Sequence, residues 1–382
     1  MKYTYAKEMA TDNEHNDISS ESAVSLSRKR VLWIDAAKGL AILLVLLVHS
    51  RYRDYTNINP DSWLSESLKL IVELGTPSFM ALFYFLSGYT FRMKESVLAS
   101  RFVRLMSPYA LWCCVYIIIN MIYSWGKWTI NAEHFAQAFA HSVVGCLYGT
   151  FSLYPKGGSN GLQLLQYGTA PLWFLPSLFC SFLFFLQLLH HQKRRLLMLV
   201  AYLFLSILFS FSPILMPWSL HSAFIGAIFI YAGYTARDKN LFNSNFLKLL
   251  SSAVVLYLIY HTLCAFNGSI NMSIRRYGEH LWLSPFLFII IGVIGAFLFC
   301  MFSMCLEKMR LAAPFAYLGR ISLLLLCCHN LVFILISRYC ANLNISGLGK
   351  TEYLFAFKIL TAICFAIFIH EGKKKLKAER TT

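Results

Sequence analysis

The chain returns repeatedly to apolar stretches long enough to cross a bilayer, and that repetition leaves few folds open. They lie near residues 33–50, 70–91, 106–125, 171–190, 196–213, 218–236, 248–266, 282–305, 317–337 and 353–370. A hydrocarbon layer about 30 Å thick needs roughly 20 helical residues to span it. Within that layer every backbone N–H and C=O has to be paired inside the chain, which a helix does alone. Composition closes the alternatives. Hydrophobic residues make up 58% and charged residues 14%, against about 25% charged in soluble domains. A soluble fold of 382 residues would carry a largely apolar surface. Disordered, collagenous and disulfide-stapled classes are excluded on the same grounds. The expected fold is all-α, a polytopic membrane protein with about ten transmembrane helices.

Lys and Arg number 34 and Asp and Glu 18, a net charge of +16. In a soluble chain this would suggest nucleic acid. Here the positions explain it, because membrane proteins gather Lys and Arg in cytoplasmic loops. With the N-terminus inside, cytoplasmic clusters follow at Arg28–Arg30, Arg92–Arg104, Lys193–Arg195, Arg237 with Lys239, Lys308 with Arg310, and Lys373–Lys375. The opposite loops hold fewer. Both termini are therefore expected in the cytoplasm, with no nucleic-acid partner.

Residues 1–29 read as a disordered polar tail with no signal peptide, 30–371 as the transmembrane domain, and 372–382 as a basic tail. The longest loop, about 126–170, is expected outside, with an amphipathic piece near 134–148 and a Gly-rich centre at 156–163. No loop holds a separate catalytic domain, so chemistry must use the helices and their mouths. The 11 cysteines include no CxxC pair and give no metal signal. A disulfide between Cys146 and Cys340 stays open. Sequons at Asn267, Asn271 and Asn344 leave a eukaryotic lumenal location open.

Ionisable residues in a membrane helix cost about 2.5–3.5 kcal/mol each and are functional candidates by default. The first helix, RVLWIDAAKGLAILLVLLVHS, holds Asp35, Lys38 and His49. Lys38 and His49 differ by about 20° around the helix and are about 16 Å apart along it; Asp35 lies about 40° from His49. A cation and an imidazole thus share one stripe. The plainer reading is an Asp35–Lys38 ion pair and an interfacial His49.

Other polar groups carry two readings each. Ser87 and Gly88 in SFMALFYFLSGYTF suit close helix packing. Arg101 and Arg104 in RFVRLMSPY suit anionic lipid or a phosphorylated ligand. Trp173 in APLWFLPSLF suits an aromatic belt or a platform for a sugar ring. In YLGRISLLLLCCHN, Arg320 and His329 fall about 180° apart on one helix, which suits His329 to a packing hydrogen bond. Glu73 lies near the level of His49, where it either orients the imidazole or faces water.

Counting FYFLSGYTF with RFVRLMSPY after it as one, these four pieces, in this order from residue 30 to about 330, resemble acyltransferase family 3, particularly its fucose O-acetylase-like members. The first is the most specific: Arg or Lys, ten residues, then His, as in Lys38 and His49. The resemblance implies an O-acetyltransferase that moves acetyl from cytoplasmic acetyl-CoA to a hydroxyl of a cell-surface glycan or its lipid-linked precursor. It implies catalytic His49 with Lys38, supported by Asp35, and donor-binding Arg101 and Arg104. Glu73, Ser87, Tyr89, Trp173 and His329 are the candidates for an acceptor pocket. Acetyl-CoA would be a substrate, with no bound cofactor or metal, and a bacterial inner membrane is the implied location. Rival readings are a transporter or glycan flippase, and an acyltransferase with another donor such as succinyl-CoA.

Overall fold

The computed structural model describes residues 31–126, 132–150, 170–243, 246–342 and 353–379. The N-terminal tail, the Gly-rich centre at 156–163 and the Asn344 sequon lie outside the described residues. Among the described residues the α-helices are α1 (Leu32–His49), α2 (Tyr52–Ile58), α3 (Trp63–Gly75), α4 (Phe79–Tyr89), α5 (Val97–Gly126), α6 (Ala132–Tyr148) and α7 (Phe174–His190). They continue with α8 (Arg195–Ser210), α9 (Leu220–Asp238), α10 (Phe246–Asn267), α11 (Ser284–Lys308), α12 (Ala312–Arg320), α13 (Ser322–Asn342) and α14 (Leu354–Glu379). The protein is an all-α polytopic membrane protein, and each apolar stretch of the sequence holds a helix. By length and composition, 7 helices can cross a membrane: α1, α5, α7, α10, α11, α13 and α14. The turn at Pro171 extends α7 for this purpose.

Three expected spans differ in form. The stretch 70–91 is two helices, α3 and α4, bent by 46°. The break falls at Thr76-Pro77-Ser78, where Pro77 has no N–H to continue the ladder. The stretch 317–337 breaks at Ile321, whose φ of −101° and ψ of 11° are not helical. It becomes the short α12 and the long α13. The stretch 196–213 gives α8, with 16 residues. Conversely α5 starts well ahead of residue 106 and carries Arg101 and Arg104 on its first turns.

α1 is apolar around nearly its whole circumference because it is the central helix, packed on α12, α11, α4, α13 and α3. Its approach to α12 is reciprocal. A Cβ added at Gly39 would collide with the Phe315 carbonyl, and one at Gly319 with the Asp35 carbonyl. α4 and α9 meet the same way, Gly88 against the Ile230 carbonyl and Gly233 against that of Phe85. Lipid provides little hydrophobic drive between helices, so small residues gain association by allowing backbones to touch. Gly88 therefore serves packing. The outer faces of α5, α8, α10 and α14 expose Ile122, Leu196, Leu247 and Phe368, as lipid contact requires.

The segment after α10 closes one sequon. The buried Asn267 side chain donates to the Tyr277 carbonyl at 2.7 Å and accepts from Ser284 Oγ at 2.8 Å, so its amide is not presented for modification. Both Cys146 and Cys340 are free thiols.

Candidate active site

The polar stripe of α1 has two ends with different surroundings. At the first, Lys38 Nζ lies 3.5 Å from Asp35 Oδ1, both half-buried. Such an i, i+3 pair contributes only about 0.2–0.5 kcal/mol, so its main effect is to fix the ammonium. Around this end the aromatic rings interlock. Trp33 meets Tyr89 edge-on at 5.4 Å, and Tyr89 meets Phe242 at 5.6 Å. Just beyond Tyr89, the Phe91 carbonyl accepts from Arg237, and the Phe91 ring lies 6.2 Å from that of Phe182. The Arg101 guanidinium stands 4.3 Å above Phe182. Arg104, one turn along α5, is exposed. Pro108 has no N–H to offer the Arg104 carbonyl, which leaves that acceptor open. Arg101 thus reaches the segment just beyond Tyr89 through Phe182 and Phe91, and the same segment holds Arg237, a residue that charge counting assigns only to topology.

At the second end α1 closes on His49, which is exposed; the chain then turns through Arg51 at a φ of 66°. The His49 ring lies 5.3 Å from that of His329, tilted by 49°. His329 is fully buried on α13, and its Nδ1 is 2.9 Å from the Leu325 carbonyl. A carbonyl only accepts, so Nδ1 carries the proton and Nε2 is left as an acceptor. That Nε2 has no hydrogen-bond partner among the described residues. Leaving such a group unpaired costs about 1–3 kcal/mol, which marks it as a site where stability was not the only requirement. The break at Ile321 removes the common axis that sets Arg320 opposite His329. Arg320 instead lies over the Tyr317 ring on α12, at 5.4 Å. His329 meets the second imidazole rather than a hydrogen bond from another helix.

The remaining candidates divide. Trp173 is buried in a core that also holds Val45 and Leu46 of α1 and Leu326, Cys327, Cys328, Leu331 and Val332 of α13. Ser87 is half-buried on α4, two residues before Tyr89, and so belongs toward the Lys38 end. Glu73 is exposed on α3, outside the packed side made by Leu68, Val72 and Gly75. Tyr89 is not brought to His49.

Lys38 and His49 therefore sit at opposite ends of one unbroken helix, about 16 Å apart at 1.5 Å per residue. The family model of the acyltransferase domain matches residues 31–370. The chain belongs to acyltransferase family 3. No curated protein and no solved structure gives a significant match. The family match encloses both ends of the stripe, and an enzyme of this family takes an acyl donor and an acceptor. Among the described residues of this acyltransferase, no three His, Cys, Asp or Glu side chains cluster as a metal ion would need. The ionisable groups considered for its chemistry are the stripe on α1, Arg101 and Arg104 on the first turns of α5, and the buried imidazole of α13.

Proposed function

We propose that the protein transfers acetyl from acetyl-CoA, held at the Lys38 end of α1, to a hydroxyl of a cell-surface glycan or its lipid-linked precursor at the His49 end. The single observation that carries this reading is α1 itself, with a cation and an imidazole on one face at its two ends and a second imidazole against the first. By the distribution of Lys and Arg, both termini and the Lys38 end are cytoplasmic, and the family resemblance implies a bacterial inner membrane.

A sugar hydroxyl attacks a thioester poorly until a base accepts its proton. Neutral imidazole is suited to that work near pH 7. His49 takes the hydroxyl proton as the oxygen attacks the thioester carbonyl. The tetrahedral intermediate then collapses, the C–S bond breaks, and the imidazolium returns its proton to the leaving thiolate. Acyl transfer is complete with no net proton change. The His329 Nε2 lone pair is available to the imidazolium N–H, which stabilises the charge that forms on His49. Asp35 holds Lys38, and Lys38, Arg101 and Arg104 hold the phosphates of CoA. A charged nucleotide stays at that mouth while the thin pantetheine arm reaches along the stripe. Trp173 offers an aromatic face to the acceptor ring.

The test compares ester-linked acetate on envelope polysaccharide from cells with the gene, without it, and with His49→Ala at equal protein level. Acetate that depends on the gene and disappears in His49→Ala supports the reading. Acetate retained in His49→Ala removes His49 as the base.

A further inference from the structure

The α5 helix grips α13 at the residues that carry the buried imidazole. The Tyr116 side chain is 1% exposed, and its hydroxyl engages both groups of one rung of α13. It donates to the Cys327 carbonyl at 3.0 Å and accepts from the Leu331 N–H at 2.7 Å. Residues i and i+4 are the pair that an α-helix joins to each other, and His329 stands midway between them. A hydroxyl placed in this ladder alters the local bend of a helix. A second contact lies one turn along α5. Asn120 Nδ2 donates to the Tyr116 carbonyl at 2.7 Å, while Asn120 Oδ1 accepts from Arg338 Nη2 of α13 at 2.8 Å. Because His329 Nδ1 is tied to the Leu325 carbonyl of its own helix at 2.9 Å, the backbone of α13 sets where the ring lies.

We propose that Tyr116 is a positioning residue for acyl transfer: its hydroxyl fixes α13 between Cys327 and Leu331 and thereby holds the His329 ring against His49. This inference rests on the assignment of His49 as the base. Tyr116 itself touches neither donor nor acceptor. Its ring also packs near Trp112, at 6.3 Å, so the informative change removes the hydroxyl alone.

The experiment uses full-length Tyr116→Phe in detergent, with acetyl-CoA as donor and de-esterified envelope polysaccharide from cells lacking the gene as acceptor. The expected result is a fall in kcat of about 10–100-fold, as small misplacements at a reacting centre give. The KM for acetyl-CoA should change less than about twofold, since the donor's charged end binds elsewhere. A second readout is independent of turnover. The ring nitrogens of ¹⁵N-labelled His49 and His329, assigned by loss of signal in His49→Gln and His329→Gln, should shift in Tyr116→Phe. Unchanged kcat and unchanged histidine resonances in folded Tyr116→Phe overturn the proposal. If Tyr116→Phe does not accumulate, 4-methylphenylalanine at position 116 fills the volume of the hydroxyl but neither donates nor accepts. Displaced histidine resonances there support the proposal, and resonances identical to wild type overturn it. Transfer retained in His49→Ala would sink the base assignment, while the histidine resonances would still decide the role of Tyr116.

Discussion

Replacing His329 with leucine separates a catalytic from a structural imidazole, because the two roles predict opposite signs for stability. The unpartnered Nε2 costs about 1–3 kcal/mol where it is buried, and its removal recovers that amount. The lost Nδ1 contact to the Leu325 carbonyl is worth about 0.5–1.5 kcal/mol, and that carbonyl stays within the helical ladder of α13. Leucine is close to histidine in volume and enters an apolar neighbourhood that includes Leu325 and Phe333. The net expectation for His329→Leu runs from about 0.5 kcal/mol lower to about 2.5 kcal/mol higher, centred on a gain of about 1 kcal/mol. Its thermal midpoint in detergent should then be near or a few degrees above wild type. Transfer should fall by at least about 100-fold, the lower range for loss of an acid–base partner. The assay pairs a thermal scan of the purified protein with formation of alkali-labile acetate on polysaccharide. A lowered midpoint with full transfer activity would refute the reasoning and make His329 a packing residue.

Gly319→Ala places a Cβ against the Asp35 carbonyl, which should destabilise the α1–α12 pair by about 1–3 kcal/mol and appear as a lower thermal midpoint. Asp35→Asn removes the Lys38 partner; the KM for acetyl-CoA should rise a few-fold with kcat nearly unchanged in steady-state kinetics. Arg104→Ala should raise the same KM by about 10–100-fold, the worth of a charged hydrogen bond. A histidine base must be neutral to accept a proton, so a pH–rate profile should show transfer lost on the acid side, once the imidazole is protonated.

Much of this architecture can be read from residue order alone. Apolar length locates the helices because lipid makes backbone pairing local, and the 3.6-residue repeat places Asp35, Lys38 and His49 on one side of α1. The ion pair at Asp35 follows from an i, i+3 spacing. What escapes such reading depends on contacts between distant segments. The helix break at Ile321 goes with the seating of α12 against Gly39 of α1, more than 270 residues away in sequence. Without that break, periodicity turns His329 away from where it lies. The histidine pair joins α1 to α13, so no local pattern announces it; the available signal is a costly His329 in an apolar run. Pro77 interrupts the ladder between α3 and α4, yet a hydropathy window reads through it as one span. Tyr89 looked like an acceptor group beside Ser87 and Gly88, but α4 runs toward the Lys38 end and delivers it to Trp33.

The most direct test of the central claim follows label across the membrane. Inverted inner-membrane vesicles, which on the proposed topology expose the Lys38 end, are given radiolabelled acetyl-CoA outside and enclose envelope polysaccharide from cells lacking the gene. Wild-type protein should place alkali-labile label on the enclosed polysaccharide, and His49→Ala at equal abundance should place none. Labelling of the enclosed polysaccharide by His49→Ala at the wild-type rate would contradict the account.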